Sequence, residues 1–125
     1  MSERILVTGA GGFVGRPLVA SLRAAGRSCR AFYGPADATD DAVDGDSVGE
    51  ITDRGALAAA VAGVDVVIHL AGPPSVARSF DFPAETLHAH AVGTARLIEE
   101  LATSSARRFV YVSSAEVYGL SLIHI

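Results

Sequence analysis

Short apolar runs and amphipathic stretches alternate from one end of the chain to the other. Such alternation is typical of a parallel β-sheet wrapped by α-helices, so the sequence predicts an α/β fold. The apolar runs predict five strands, at residues 4–8, 28–33, 47–51, 64–70 and 109–113. Apolar residues at helical spacing predict three helices, at residues 12–25, 53–63 and 83–104.

The predicted helices are expected to bury apolar stripes against the sheet. In the first two helices the stripes are formed by Val14, Leu18, Leu22, Leu57 and Val61. In the third helix the stripe is formed by Leu87, Ala91, Leu97, Ile98 and Leu101. Residues 37–46, which are acidic and rich in turn formers, are expected to be a solvated loop, and residues 72–79 a second loop.

The turn after the first strand carries the most specific signal. The strand runs directly into Thr8-Gly9-Ala10-Gly11-Gly12-Phe13-Val14-Gly15 and then into a helix. In such a turn Gly9 permits the tight bend, Gly12 lets the backbone approach a pyrophosphate, and Gly15 lets the helix pack closely on the strand. The helix N-terminus would direct free N–H groups at the anion. The sequence therefore predicts a dinucleotide-binding site.

Composition and charge exclude several classes of protein. The 125 residues suffice for one domain, and no apolar run approaches the ~20 residues that a membrane span needs. No secretory leader is visible and Cys29 is the one cysteine, so we expect a cytoplasmic protein without a disulfide. The net charge of −4 and the lack of a basic stripe argue against nucleic acid as a partner. We expect no membrane partner and no metal site.

Four further segments accompany the glycine turn. They are Gly49-Glu50-Ile51, Ile68-His69-Leu70-Ala71-Gly72, Val92-Gly93-Thr94 and Val112-Ser113-Ser114-Ala115-Glu116-Val117-Tyr118-Gly119. Together with the turn they resemble the extended short-chain dehydrogenases/reductases of the NAD(P)-dependent epimerase/dehydratase type, which mostly act on nucleotide sugars. The resemblance implies a Rossmann-type doubly wound parallel sheet of strand order 3-2-1-4-5, truncated after the fifth strand. Residues 1–119 would then be an incomplete domain that binds NAD or NADP.

The resemblance also implies roles for the residues that would bind the cofactor. Phe13 and Val14 would contact the pyrophosphate through their N–H groups. Glu50 stands where the family usually has an aspartate that bonds the adenine amino group, and Ile51 would pack on the ring. The wall beside the ribose and phosphates would be formed by Leu70, Ala71 and Gly72. His69 and Thr94 are interpreted as packing the sheet against its helices.

The choice between NAD and NADP stays open at this stage. The end of the second strand usually presents an acid to the ribose for NAD, or an arginine to the 2′-phosphate for NADP. Tyr33 and Gly34 occupy those positions here, and neither selects a cofactor by charge. Arg16 or Arg30 could still reach a phosphate. His90 replaces a usual asparagine, either as a substitute hydrogen-bonding group or as an ordinary helix residue.

Two candidate catalytic residues follow the fifth strand. Ser114 matches the family's catalytic Ser/Thr, whose hydroxyl bonds the oxygen that is oxidised while a tyrosine takes its proton. A hydroxyl suits this role because it both donates and accepts. Glu116 matches an acid or base of relatives that eliminate water, although Ala115 replaces the aspartate that accompanies it in sugar 4,6-dehydratases. A surface or capping role is therefore the default for Glu116.

The family's Tyr-x-x-x-Lys pair is missing, because the chain contains no lysine. We therefore expect the chain as given to be inactive and its parent to be a nucleotide-sugar epimerase/dehydratase-type oxidoreductase that uses transient hydride transfer. The alternatives are a reductase of a non-sugar carbonyl and a non-catalytic NAD(P)-sensing relative. A homodimeric parent is a further expectation.

The last six residues, 120–125, differ in composition from the preceding chain. Leu-Ser-Leu-Ile-His-Ile is also the translation of CTG TCT CTT ATA CAC ATC, a transposon end sequence used to prepare sequencing libraries. We therefore interpret this segment as a non-native tail, with a genuine sixth strand as the alternative. The codons in the nucleotide record decide between them.

Overall fold

Five parallel strands form one sheet in the computed structural model, which describes residues 2–73 and 75–114. The strands are β1 Arg4–Thr8, β2 Ser28–Tyr33, β3 Ser47–Val48, β4 Val66–His69 and β5 Arg108–Tyr111. They lie in the order β3-β2-β1-β4-β5, and each neighbouring pair is parallel. The predicted Rossmann-type sheet and its strand order are confirmed.

Helices connect the strands and cover the sheet. They are α1 Gly15–Ala24, α2 Arg54–Val61, α3 Val76–Asp81, α4 Pro83–Leu87 and α5 Gly93–Ala102, with a π-helical turn at His88–Val92. Gly26 ends the first helical segment with a φ of +74°, and Asp53 caps α2 by accepting hydrogen bonds from the N–H groups of Gly55 and Ala56. Among the described residues, no helix is long and apolar enough to cross a membrane.

Alternate residues of the central strands pack into two apolar cores, one on each face of the sheet. Leu6, Phe32 and Val67 pack with residues of α2 and α5, including Leu57 and Leu97. Ile5, Val7, Ala31 and Val66 pack with Val19 of α1. Both faces are buried because parallel β-α-β crossovers place helices on both sides. This packing fixes the carboxyl ends of β1, β2 and β4 at one edge.

The outer strands are shorter than the sequence predicts. β3 ends at Val48, although the N–H of Gly49 still donates to the carbonyl of Tyr33 at 3.0 Å. β5 ends at Tyr111, and Val112 adds one bond of 3.3 Å to the carbonyl of His69. The backbone of Glu50 and Ile51 therefore leaves the sheet and turns toward its carboxyl edge.

The third predicted helix is interrupted, and part of the second predicted loop is helical. α3 begins in that loop because the Ser75 side chain caps it, accepting from the N–H of Arg78 at 3.1 Å. The π-helical turn adds a residue to one turn, which rotates Leu87 away from the face that carries Leu97. The predicted stripe is accordingly wrong in part: Leu97 is buried and Leu101 half-buried, whereas Leu87, Ala91 and Ile98 are exposed.

Two other burial predictions need correction. Val14 does not face the core; it is exposed beside the glycine turn, and Val19 is buried in its place. The acidic loop is not solvated throughout, since the Asp46 side chain is only 4% exposed and pairs with Arg23 at 2.7 Å. Charged side chains are rarely buried in proteins unless they are paired, as Asp46 is with Arg23.

Candidate dinucleotide-binding site

A cleft of about 700 Å³ opens at the carboxyl edge of the sheet. It is lined by all ten residues predicted to bind a cofactor, which are Gly9, Gly12, Phe13, Val14, Gly15, Glu50, Ile51, Leu70, Ala71 and Gly72. The cleft is also lined by Gly34, Gly49 and Val112, which belong to segments that the sequence analysis singled out, and by four residues that it missed: Phe32, Asp37, Pro73 and Ala89. Ligands of open α/β sheets bind in this position, outside the carboxyl ends of the strands.

The glycine turn brings three backbone segments into contact. The N–H of Gly12 donates to the carbonyl of Gly9 at 3.1 Å, which closes the turn. Gly9 has a φ of +70°, and a Cβ there would lie 2.7 Å from the carbonyl carbon of Leu70 at the end of β4. A Cβ on Gly15 would overlap the carbonyl oxygen of Gly9. Side chains at these two positions would push β1, α1 and β4 apart.

Helix α1 begins at the cleft with its N-terminal N–H groups uncapped by any side chain. Its first turn contains no acidic residue that would neutralise the positive end of the helix dipole. Phe13, just before the helix, is 98% exposed, and Val14 is exposed beside it. The backbone at this point is therefore accessible to an anion.

The opposite wall comes from the segment after β3. Glu50 is exposed and lines the cleft, whereas Ile51 is mostly buried in the core. A Cβ on Gly93 would lie 2.9 Å from Cγ2 of Ile51, so the first residue of α5 packs directly on that side chain. This contact fixes the position of the Glu50-Ile51 backbone at the rim.

A buried hydrogen-bond chain joins β1, β4 and α5 beneath the cleft. The Thr8 hydroxyl oxygen accepts from the N–H groups of Leu70 and Ala71, at 3.1 and 3.3 Å. Its proton is therefore donated to Nδ1 of His69, at 2.6 Å. The neutral ring then carries its own proton on Nε2 and donates it to the Thr94 hydroxyl, at 2.9 Å. His69 and Thr94 thus hold the sheet and α5 together, in line with the packing role expected for them.

The environment of His69 keeps its ring neutral. The residue is 2% exposed, and burial, with a smaller contribution from His90, lowers the pKa of His69 to about 4. The hydrogen-bond chain acts in the same direction, because a proton on Nδ1 would face a hydroxyl oxygen that already accepts two N–H groups.

His90 packs against Gly72 and Pro73, which follow β4. Its Nε2 lies 2.9 Å from the carbonyl oxygen of Pro73, and its ring fills the space that a Cβ on Gly72 would need. The π-helical turn that contains His90 brings the ring to this position. Of the two roles considered for His90, a hydrogen-bonding group or an ordinary helix residue, the structure supports the first, since His90 bonds the backbone beside Gly72.

An acid that the sequence reasoning missed lies beside the glycine turn. Oδ2 of Asp37 accepts from the N–H of Gly34 at 2.8 Å, and the N–H of Asp37 donates to the carbonyl of Gly34 at 3.1 Å. A Cβ on Gly11 would lie 2.6 Å from the same Oδ2. The carboxylate therefore lies against the backbone of residue 11, and only a glycine leaves room for it.

Of the two candidate catalytic residues, only Ser114 lies within the described residues, at their end. Ser114 is exposed and follows Val112, which lines the cleft. Glu116 and the tail at residues 120–125 lie outside the described residues. The roles of Ser114 and Glu116 remain predictions.

Residues 5–123 match the model of the NAD dependent epimerase/dehydratase family. The chain belongs to this family. It is 37% identical over 120 residues to a GDP-6-deoxy-D-mannose reductase from Pseudomonas aeruginosa, covering 95% of this chain and 36% of the relative. It is 30% identical over 127 residues to a UDP-glucose 4-epimerase from Yersinia enterocolitica, covering 92% and 38%.

The solved structures of epimerase/dehydratase relatives agree with this assignment. A short-chain dehydrogenase/reductase superfamily protein from Agrobacterium tumefaciens, with bound NAD, superposes with a TM-score of 0.75 at 37% identity. The match covers 94% of this chain and 34% of that chain. The family is NAD-dependent, which agrees with the predicted cofactor, NAD or NADP. The chain spans little more than a third of the length of the curated relatives that it matches.

Proposed function

We propose that this chain is the NAD(P)-binding part of a nucleotide-sugar epimerase/dehydratase-type oxidoreductase that works by transient hydride transfer. The observation that carries the proposal is the cleft, in which the glycine turn and the predicted adenine and ribose walls face one another. Both curated relatives described above are named for nucleotide sugars, which supports this substrate class.

The residues of the cleft fit a dinucleotide. The uncapped N-terminus of α1 and the exposed backbone of Phe13 and Val14 offer N–H groups to the pyrophosphate. Glu50 lines the cleft and would accept a hydrogen bond from the adenine amino group, and Leu70, Ala71 and Gly72 would form the wall beside the adenosine ribose and the phosphates. When bound, NAD(P) accepts a hydride from the substrate carbon and returns it.

Ser114 would act on the substrate rather than on the cofactor. Its hydroxyl donates to the substrate oxygen while a tyrosine, supplied with its lysine by the parent protein, removes the proton. The lysine lowers the pKa of that tyrosine so that it can serve as a base near neutral pH.

The test is turnover of nucleotide sugars by the intact gene product. Incubation with NAD and a panel of UDP-, GDP- and dTDP-sugars should yield an epimerised or dehydrated sugar, and incubation of 4-keto nucleotide sugars with NADH should yield a reduced sugar, both measured by NMR of the products. Ser114→Ala should lower kcat by about 100-fold, because one hydrogen bond to the reacting oxygen is lost. The matched control is Ser113→Ala, which removes the neighbouring hydroxyl and should leave kcat within about 3-fold, as a surface change does.

Two results would contradict the proposal. Net reduction of non-sugar carbonyls in the presence of NADH, with no action on any nucleotide sugar, would assign the alternative reductase function. Equal activity of the two serine variants would remove Ser114 from the reaction.

A further inference from the structure

We infer that Asp37 makes this site select NAD over NADP, in place of the usual acid at the end of β2. The inference rests on the proposed function, since it concerns the ribose end of the same cleft. Its basis is the position of one carboxylate between the glycine turn after β1 and the first residue after β2.

The positions that usually decide the cofactor cannot do so here. Tyr33 is the last residue of β2, and its side chain is buried in the core on the α1 face. Gly34, the next residue, has no side chain. At the end of β2, therefore, only backbone atoms would face the ribose, unless a side chain from another residue extends to this place.

Asp37 reaches this place because residues 34–37 form a closed turn. The backbone N–H of Asp37 donates to the carbonyl of Gly34, and its carboxylate accepts the Gly34 N–H in return. These two bonds hold Oδ2 beside Gly34 and against Gly11, at the lip of the cleft that Asp37 helps to line. The side chain is half-buried, which limits its freedom to move away.

Within residues 2–73 and 75–114, the Asp37 carboxylate accepts one hydrogen bond, from the N–H of Gly34, whereas a carboxylate can accept about four. The ribose hydroxyls of NAD can donate to its remaining positions. A 2′-phosphate cannot donate in this way and carries a charge of about −2, so it meets a fixed negative group at short range. The same group thus favours NAD and opposes NADP.

The two arginines that could have bound a 2′-phosphate are engaged elsewhere. Arg16 pairs with Asp41 at 2.9 Å. Nη1 of Arg30 donates to the carbonyl oxygens of Ala60 and Ala62 at 2.6 and 2.9 Å, at the C-terminal end of α2. Arg30 is thereby held away from a phosphate beside Asp37, and the charge of Arg16 is balanced by Asp41.

The experiment measures the Kd of NAD and of NADP by calorimetry on the intact gene product and three variants. The unmodified protein should bind NAD at least about 10-fold more tightly than NADP, as expected for one hydrogen bond to a charged group. Asp37→Asn should lower this preference by about 10-fold or more, mainly by tightening NADP. Gly11→Ala keeps the charge but displaces the carboxylate, and should also lower the preference.

Asp44→Asn is the control, because it makes the same charge change at an exposed position in the same loop. It should leave the ratio of the two Kd values unchanged. The inference is overturned if Asp37→Asn and Asp44→Asn have the same ratio as the unmodified protein, or if that protein prefers NADP. Failure of the folded protein to bind either dinucleotide overturns the proposed function as well, so the two failures can be told apart.

Discussion

His69 shows how a single buried residue ties the cofactor cleft to the rest of the fold. Through its two nitrogens it links Thr8 at the end of β1 with Thr94 in α5, and Thr8 in turn holds the N–H groups of Leu70 and Ala71. Loss of the neutral ring therefore affects three elements at once. The same connection makes the fold sensitive to acid.

Stability should fall as the pH is lowered from about 6.5 to about 4. The pKa of His69 is lowered in the folded state, so over this range the unfolded chain binds a proton that the folded chain does not. Between pH 7.5 and 5 the difference amounts to about 2 kcal/mol in the free energy of unfolding. Urea denaturation of the intact gene product and of His69→Asn should show this loss in the unmodified protein only.

The control for this prediction is His88→Asn, because His88 is exposed. Its pH dependence should follow that of the unmodified protein. Equal slopes for the unmodified protein and His69→Asn would show that His69 does not limit stability in acid.

At the scale of single residues, the sequence predicts positions near strand ends better than positions in loops. The ten residues predicted to bind a cofactor all lie in the segments that follow β1, β3 and β4, and the structure brings them to one cleft. Asp37 could not be placed in advance, because its position depends on a turn of residues 34–37 and on the distant Gly11. Neither contact leaves a periodic signal in the sequence.

Among the elements, the end of the connection from β2 to β3 is fixed by one buried carboxylate, that of Asp46. Asp46 accepts from Arg23 of α1 at 2.7 Å, from the N–H of Ala31 in β2 at 2.8 Å and from the N–H of Val43 at 2.9 Å. This carboxylate fastens the end of the acidic loop to a helix and a strand. It sets where β3 begins.

Asp46→Ala should lower the free energy of unfolding by about 3 kcal/mol, because it leaves Arg23 and a backbone N–H without their buried partner. Asp41→Ala is the matched change in the same loop. The Arg16–Asp41 pair is exposed, at 50% and 72% for the two side chains, so this variant should cost less than about 1 kcal/mol. Equal losses in thermal or urea denaturation would contradict the structural role of Asp46.

The bounds of β1 and β2 agree with the sequence prediction because their apolar runs are buried on both faces and end at turn residues. The helical region 83–104 was harder to predict. Its apolar spacing suggests one regular helix, but a π-helical turn changes the phase between Leu87 and Leu97. Periodicity alone does not reveal one extra residue in a turn.

For the whole molecule, the glycine turn and the end of β4 together form the cleft that we propose binds a dinucleotide. Gly9 and Gly26 offer a matched comparison, because both have φ near +70°. A Cβ at Gly9 would meet the backbone of Leu70 at 2.7 Å, whereas a Cβ at Gly26 meets nothing within 4 Å. Substitution by alanine therefore adds similar backbone strain in both places but deforms the cleft in only one.

The decisive measurement is a calorimetric titration of NAD into the intact gene product. We predict that the unmodified protein and Gly26→Ala bind one NAD per chain with similar Kd. Gly9→Ala should bind NAD at least about 100-fold more weakly while it remains folded, because the turn can no longer lie against β4. Undiminished NAD binding by Gly9→Ala, or no binding by the folded unmodified protein, would show that the glycine turn does not form a dinucleotide-binding cleft.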